Sequence, residues 1–448
     1  MIEGSKRRLR AAEQRTIEVR LLGGVVGWVS TPSCGPRRSK RQRQRGQEGS
    51  GLYPELAVLG IREGSTPALL GRVGRLTALL PSFAAAADEL AAGGCRLDIK
   101  VIHRIARQLG GELRTVRSRD LERYRAGLRP RGTALAGKRV GVAIDGGRVR
   151  LRTQVRKQKG KGKGKKPRRK LRVEGREPKV LIIFAMDARG RMVRGSRPWI
   201  DGTLAGPDEA MEILAMHRHR LGAAAAARVA VLADGAPWIG ERAGPVRQRV
   251  GVPARRVHYV LDWCHAMHHV RLALEQLGLA PRERRRQYQL YRKWLRQGKV
   301  LQMIAALTVP AAGVAAVNVE LRFLEKHAFA GHMNYAAYRR AGVPLGSGAI
   351  ASAIRRAVNL RWKGTGLLWY EGNAEGMLLL RANVLTGHWD EVQEEVRRRM
   401  AEDRRLQLKP AACEDQATTQ AQGGKRTKGA AAGSLFGNAP SMVADGST

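Results

Sequence analysis

Acidic residues are few in this chain: 38 Asp and Glu stand against 83 Lys and Arg over 448 residues, a formal net charge of +45. Such self-repulsion excludes a protein that works alone in water; it needs a polyanion, and nucleic acid is the usual one. Cysteine is sparser still. Cys34, Cys95, Cys264 and Cys413 are scattered with no CxxC pair, which speaks against a disulfide framework and a four-Cys zinc site. Long apolar runs are missing too, so no membrane span is expected. The opening MIEGSKRRLRAAEQR is charged and lacks the apolar centre of a secretory signal. A cytoplasmic, nucleoid-associated protein of a bacterium is the expected setting, with no membrane partner. No internal repeat is found.

What is there divides the chain by composition. Residues 1–50 form a basic arm, poor in periodic structure. Residues 51–130 repeat apolar positions at three- and four-residue steps, as in Leu69, Leu70, Val73, Leu76, Leu79 and Leu80, and predict helices. A helix over 97–109 followed by Gly110-Gly111, with Arg104, Arg107, Arg114 and Arg117 nearby, resembles a helix-turn-helix unit or a helical bundle touching phosphates.

At Lys138 the period switches to that of strands. KRVGVAID ending at Asp145, VLIIFAMD ending at Asp187 and a short run at Arg189–Val193 predict three strands. A helix over 205–220, RVAVLAD ending at Asp234, a helix over 237–249, VHYVLD ending at Asp262 and a helix from His265 follow. Three meandering strands and then two strands reached through helical crossovers is the order of an α/β, ribonuclease H-like fold. That domain is expected over 131–280, interrupted by a helical insertion at 281–340 and completed by C-terminal helices at 341–405. The region 51–130 would be the helical DNA-binding part, and 406–448 a disordered tail.

Between the first two strands lies RKQKGKGKGKKPRRKLR, whose alternating Gly and Lys hold neither core nor helix. This loop makes Lys163, Lys165, Lys166, Arg168 and Arg169, with Arg148 just before it, candidates for contact with double-stranded DNA. Tyr288, Tyr291 and Trp294 recur every three residues among basic ones. They fit base stacking or, more simply, packing within the insertion.

Asp145 and Asp234 each close an apolar strand and precede Gly. In the expected sheet those strands are neighbours, so the carboxylates face one another and call for a divalent cation between them. Mg2+, with Mn2+ as substitute, fits oxygen ligands; two ions roughly 3.5–4 Å apart can activate one oxygen and stabilise another during phosphodiester transfer. The bland alternative is that each Asp merely starts a turn. A third carboxylate is wanted, and Glu375 or Glu371 near the chain end can supply it or can be exposed helix positions. Cys264 and His268, one turn apart, are too few for a zinc site.

The string LGSGAIASAIRRAVNLRWKGTGLLWYEGNAEGMLLLRANVLTGHWDEV, Leu345–Val392, resembles the C-terminal signature of ISKra-type insertion-sequence transposases of the DDE class. IDGGRVR at Ile144–Arg150, REPK at Arg176–Lys179, LADGAPW at Leu232–Trp238 and LDWCHA at Leu261–Ala266 resemble further motifs of that family, in family order. The resemblance covers roughly Val58 to Val392. It implies metal-dependent cleavage and strand transfer at the element's terminal repeats into target DNA, by a homo-oligomer. It implies Asp145 and Asp234 as catalytic metal ligands and Asp262 and His265 as neighbours of the active site. Arg355, Arg356, Arg361 and Lys363 flank the expected active-site helix and suit phosphate. The chain departs from the family where GSGxxES is usual: it has Ala351 at the position of the Glu. Either Glu375 or Glu371 substitutes, or water fills the vacancy, or this copy is a DNA-binding relic without catalysis.

Overall fold

The computed structural model describes residues 9–36, 53–155, 170–311, 314–362 and 368–412. Strands β1 (Leu9–Arg20) and β2 (Val26–Pro36) pair as an antiparallel hairpin. The expected structureless arm is therefore ordered over this stretch, while the Arg-rich run from 37 to 46 lies outside the described residues. Val19, Val29 and Ile17 seat the hairpin on Leu56 and Ile61, around the short helix α1 (Pro54–Val58).

Helices α2 (Pro67–Leu79), α3 (Phe83–Ala92) and α4 (Ile99–Arg125) follow. Pro at the first turn of α2 is where a missing N–H costs nothing. Ser82 caps α3 through Ala85 N at 2.9 Å, and Asp98 caps α4 through Lys100 N at 2.7 Å. α4 runs unbroken through Gly110-Gly111, so the turn expected there is absent. Glycine serves another purpose: a Cβ on Gly110 would lie 2.8 Å from the Cα of Gly376. Two helix backbones touch there, and no larger residue fits.

Next come β3 (Arg139–Gly146), a ribbon of β4 (Val149–Val155) and β5 (Lys170–Arg176), then β6 (Lys179–Met186) and β7 (Trp199–Thr203). The third strand of the main sheet is thus Trp199–Thr203; Arg189–Val193, expected to fill that role, is a turn tied to Asp187. Helix α5 (Pro207–Arg220), β8 (Arg228–Ala233), α6 (Pro237–Val250), β9 (Val257–Leu261) and α7 (Trp263–Gln276) complete the alternating part. The five-stranded mixed sheet has the order β7-β6-β3-β8-β9, with β3, β8 and β9 parallel and β6 and β7 antiparallel to their neighbours. β3 and β8 are adjacent, as the element order required.

Helices α8 (Pro281–Gln297), α9 (Val300–Ala311), α10 (Ala315–Phe329) and α11 (Tyr335–Arg340) form the insertion. Tyr291 is buried and Tyr288 and Trp294 pack partly against the same core, so that aromatic stripe is packing. Then α12 (Gly348–Ile354) passes through a wide π turn at Arg355–Asn359 into α13 (Leu360–Trp362). α14 (Glu371–Leu385) and α15 (Trp389–Ala412) end the described chain.

One face of the sheet shares a core with α2–α4, α7–α12 and α14; the other is covered by α5 and α6. The alternation along β3 sets this: Ala143 lies in the first core, Val140, Val142 and Ile144 in the second. Among the described residues no helix is long and apolar enough to cross a membrane, and Cys34, Cys95 and Cys264 are free thiols.

Candidate active site

Parallel pairing fixes the position of three aspartates. Ala143 pairs with Leu232, so Asp145 and Asp234, each two residues on, stand at the same level of neighbouring strands. Leu232 pairs with Val260, which puts Asp262 at that level on the next strand. Ala143, Leu232 and Val260, each two residues before an aspartate, enter the first core, so by strand alternation all three aspartates project from one face. Adjacent strands are about 4.8 Å apart, which sets the spacing of the row. It crowns the carboxyl ends of β3, β8 and β9, where open α/β sheets present ligand sites.

The three differ in their surroundings. Asp262 is 2% exposed and caps α7: its Oδ1 accepts from His265 N at 2.9 Å and lies 3.1 Å from His265 Nδ1, while Oδ2 accepts the N–H of Ser347. Burial works to raise this carboxyl, but the bonds from His265 and Ser347 outweigh it and hold it well below the usual carboxylate range. Asp262 is a charged bracket, and in return the bond to Asp262 raises the imidazole of His265 above its ordinary value.

Asp145 and Asp234 are half-buried and open. Asp145 Oδ1 accepts from Gly146 N at 2.6 Å, and Asp234 Oδ1 from Ala236 N at 2.8 Å. Burial pushes the Asp145 carboxyl up, against the pull of the Gly146 N–H, and the charge of Asp234 pushes it further. In a chain of +45, no Lys or Arg among the described residues forms an ion pair with either carboxylate. Two neighbouring, unneutralised carboxylates are a donor set for a hard divalent cation in charge and in ligand type.

Helix α12 spans the row. At its start Ser347 N holds Asp262; at its end a Cβ on Gly147 would stand 3.7 Å from Ile354 Cγ2 and 3.5 Å from Val358 Cγ1. Ala351 lies between these two anchors, one turn before Ile354, and is exposed. Ala351 brings a methyl group, and no group of three or more His, Cys, Asp or Glu arranged to hold a metal occurs among the described residues.

Glu375 does not fill the gap. It is 7% exposed on α14 at the outer edge of the sheet, two strands from β3, where it pairs with Arg117 and accepts from Thr203 Oγ1 at 2.8 Å. Arg117 continues through Asp201 at 3.3 Å to His217, whose Nε2 is 2.6 Å from Asp201 Oδ2. This buried chain of charges ties α4, β7, α5 and α14 together and holds Glu375 through Oε1, with Oε2 3.9 Å from Arg114, away from the aspartate row. Glu371 is bridged to Arg176 at 3.2 Å.

Among the expected DNA contacts, Arg148, Arg355 and Arg356 are exposed. Arg361 is not: it is 2% exposed, donates to Pro81 O at 2.5 Å and lies over the rings of Phe83 and Trp369. It braces α13 against α3 and is unavailable to a phosphate. Lys163, Lys165, Lys166, Arg168, Arg169 and Lys363 lie outside the described residues. Cys264 is exposed, and His268 Nδ1 lies 3.3 Å from an Arg271 terminal nitrogen.

No family model, curated protein or solved structure matches the chain. The site therefore stands on its own geometry.

That geometry also names residues that the motifs did not. A Cβ on Gly235 would meet Phe323 Cζ at 2.7 Å and His327 Nε2 at 2.8 Å, so α10 of the insertion clamps the turn behind Asp234. Gly235 has φ +90, a conformation that glycine adopts freely. Phe323 and His327 sit far from any motif in the sequence, and only folding brings them here.

Proposed function

We propose that the protein is a DDE-type transposase built on a ribonuclease H-like core, acting on phosphodiester bonds of double-stranded DNA. The observation that carries the reading is the pair Asp145 and Asp234: level, adjacent, half-buried and, among the described residues, without a Lys or Arg ion pair in a strongly basic chain. The sheet order and the motif resemblance support it.

On this reading Asp145 and Asp234 hold Mg2+ or Mn2+. When bound, the metal supplies Lewis-acid stabilisation of the charge that develops on the scissile phosphate. Asp262 fixes the rotamer of His265, which carries positive charge toward the same face. Arg355 and Arg356, exposed on the π turn that follows α12, bind neighbouring phosphates and hold the DNA strand across the row. His327 and Phe323 keep Asp234 in register.

Ala351 favours a second reading: a protein that grips DNA with this face but turns nothing over. Cleavage and strand transfer on DNA bearing the element's own ends, in Mg2+, decide between the two. Activity in the unaltered chain supports the transposase. Activity only in Ala351→Glu makes the chain a DNA-binding descendant of one. Full activity in Asp145→Asn contradicts both.

A further inference from the structure

A second concave site lies at the opposite pole of the sheet, where β3 and β8 begin and three helices end. It is a cleft of about 500 Å3 lined by Tyr124, Arg125, Arg129, Arg131 and Arg249, with Glu212 on one wall. Just behind it, α5 places Arg218 and Arg220, and α6 places Arg247. Seven guanidinium groups thus gather in one region.

Their neutralisation is incomplete. Glu212 serves both Arg125 and Arg249, the latter at 3.1 Å. Asp120 serves Arg129 at 2.5 Å and Arg399 at 3.0 Å. Cations near helix C-termini are ordinary, because each helix end carries about half a negative charge. Three such ends, Glu212 and the shared Asp120, with Glu122 and Glu209 near Arg125 and Asp201 near Arg220, offset only part of the seven charges.

The decisive residue is Arg218. It is 2% exposed, and its Nε and one terminal nitrogen are buried without a hydrogen-bond partner. The hydroxyl of Tyr124, which lines the cleft, is also buried and unpartnered. Burial lowers Arg218 to about 10, opposed by Tyr124 and assisted by Arg247. A guanidinium kept dry and unpaired is costly, and helix capping does not require it. Arg218 stands behind the lining, beside Tyr124 and Arg247, so an anion held by Arg125, Arg129, Arg131 and Arg249 in the cleft would offset its charge from the front.

We propose that the cleft between the C-terminal ends of α4, α5 and α6 is a phosphate-binding site separate from the aspartate row. Planar guanidinium forks facing an opening of this kind match the oxygens of a multiply charged phosphate better than a single carboxylate. The phosphate can be that of a free oligophosphate or the backbone of a nucleic acid. The site does not depend on the chemistry at Asp145.

The test uses the full chain at physiological salt, with inorganic tripolyphosphate as probe and melting temperature and direct titration as readouts. Arg131→Gln with Arg249→Gln removes two exposed cations of the cleft. Arg285→Gln with Arg286→Gln removes two exposed cations of α8 and controls for overall charge. Tripolyphosphate should raise the melting temperature of the wild type and the control, and bind the cleft variant about tenfold or more weakly, a difference of about 1.4 kcal/mol or more. Arg218→Met should melt no lower than wild type without the probe and should lose the probe's stabilisation. If that variant fails to fold, the double variant still decides. Equal loss of affinity in the cleft variant and the control overturns the proposal.

A short duplex distinguishes the two sources. If the duplex displaces tripolyphosphate, and the cleft variant's salt slope falls by about one per lost contact, the backbone of nucleic acid is the occupant. If duplex affinity is the same in both variants while tripolyphosphate binding is lost only in the cleft variant, a free oligophosphate is. Strand cleavage is a separate readout, so failure here leaves the aspartate row untouched.

Discussion

At the scale of residues, the row Asp145, Asp234 and Asp262 shows how one amino acid takes two roles according to its bonds. Asp262 is saturated by His265 and Ser347 and positions; Asp145 and Asp234 are open, and burial with the nearby charge of Asp234 works against the charged form of Asp145. Asp145→Asn removes one charged ligand with little change of shape. It should abolish metal-dependent strand transfer while DNA affinity stays within about threefold, since a phosphate grip rests on cations; transfer by this variant would show the site to be elsewhere. Glu375→Gln should do the reverse. It should lower stability by roughly 1–3 kcal/mol, because Arg117 loses a charged partner in a buried setting. Any activity of the wild type should persist, which thermal melts and cleavage assays on one preparation will show.

The same buried network gives the fold an acid-sensitive joint. Burial lowers His217 below its ordinary imidazole value of 6.5; burial works to raise Asp201, but Arg117 and His217 outweigh it and leave it below its usual 3.8. A lowered histidine is a net loss on protonation: the unfolded chain takes up the proton first, so stability is full above 6.5 and falls as the pH drops through the lowered value. Asp201 adds a second loss further down, as the pH falls below 3.8 toward its lowered value. Melting temperature should therefore decline as the pH falls from 6.5, and His217→Gln should flatten the upper part of that decline. An unchanged slope in the variant would assign it to other groups.

At the scale of elements, the sequence displayed its strands well where they were long, apolar and ended in aspartate. Arg139–Gly146, Lys179–Met186, Arg228–Ala233 and Val257–Leu261 all form near their expected places. The edge strand Trp199–Thr203 was missed because WIDGT is short and carries an Asp whose partner, His217, is remote in sequence. The N-terminal hairpin was hidden by the charges of its first strand and by the Pro, Ser and Gly of its second. Gly110-Gly111 misled because a glycine pair signals a turn locally, whereas its use here is contact with Gly376 on another helix. Of the site, Asp145 and Asp234 were legible from strand-ending position, and Asp262 with His265 from the motif. The clamp by Phe323 and His327 and the burial of Arg361 were not, since both depend on which helix folds back on which. Gly110→Val tests the crossing of α4 and α14: the added carbons have no room, and a loss of about 1–3 kcal/mol or more is expected in denaturant unfolding. Gly111, with open space around its Cβ position, should tolerate Ala with little change.

At the scale of the whole molecule, the proposed reading takes its partner from the net charge and its site from a small exception to it. A chain of +45 that covers about eight phosphates should lose roughly three to five decades of DNA affinity between 50 and 200 mM salt. Filter binding over that range measures the slope, and a flat response would remove phosphate as the main contact. The exception is the unpaired Asp145 and Asp234, with Ala351 on the helix that bridges them. Mn2+ binding, followed by electron paramagnetic resonance in the wild type, Asp145→Asn and Ala351→Glu, tests the central claim most directly. The account predicts binding in the wild type, its loss in Asp145→Asn and about tenfold tighter binding in Ala351→Glu, the worth of one added carboxylate ligand at about 1.4 kcal/mol. Equal Mn2+ affinity in all three proteins would contradict it.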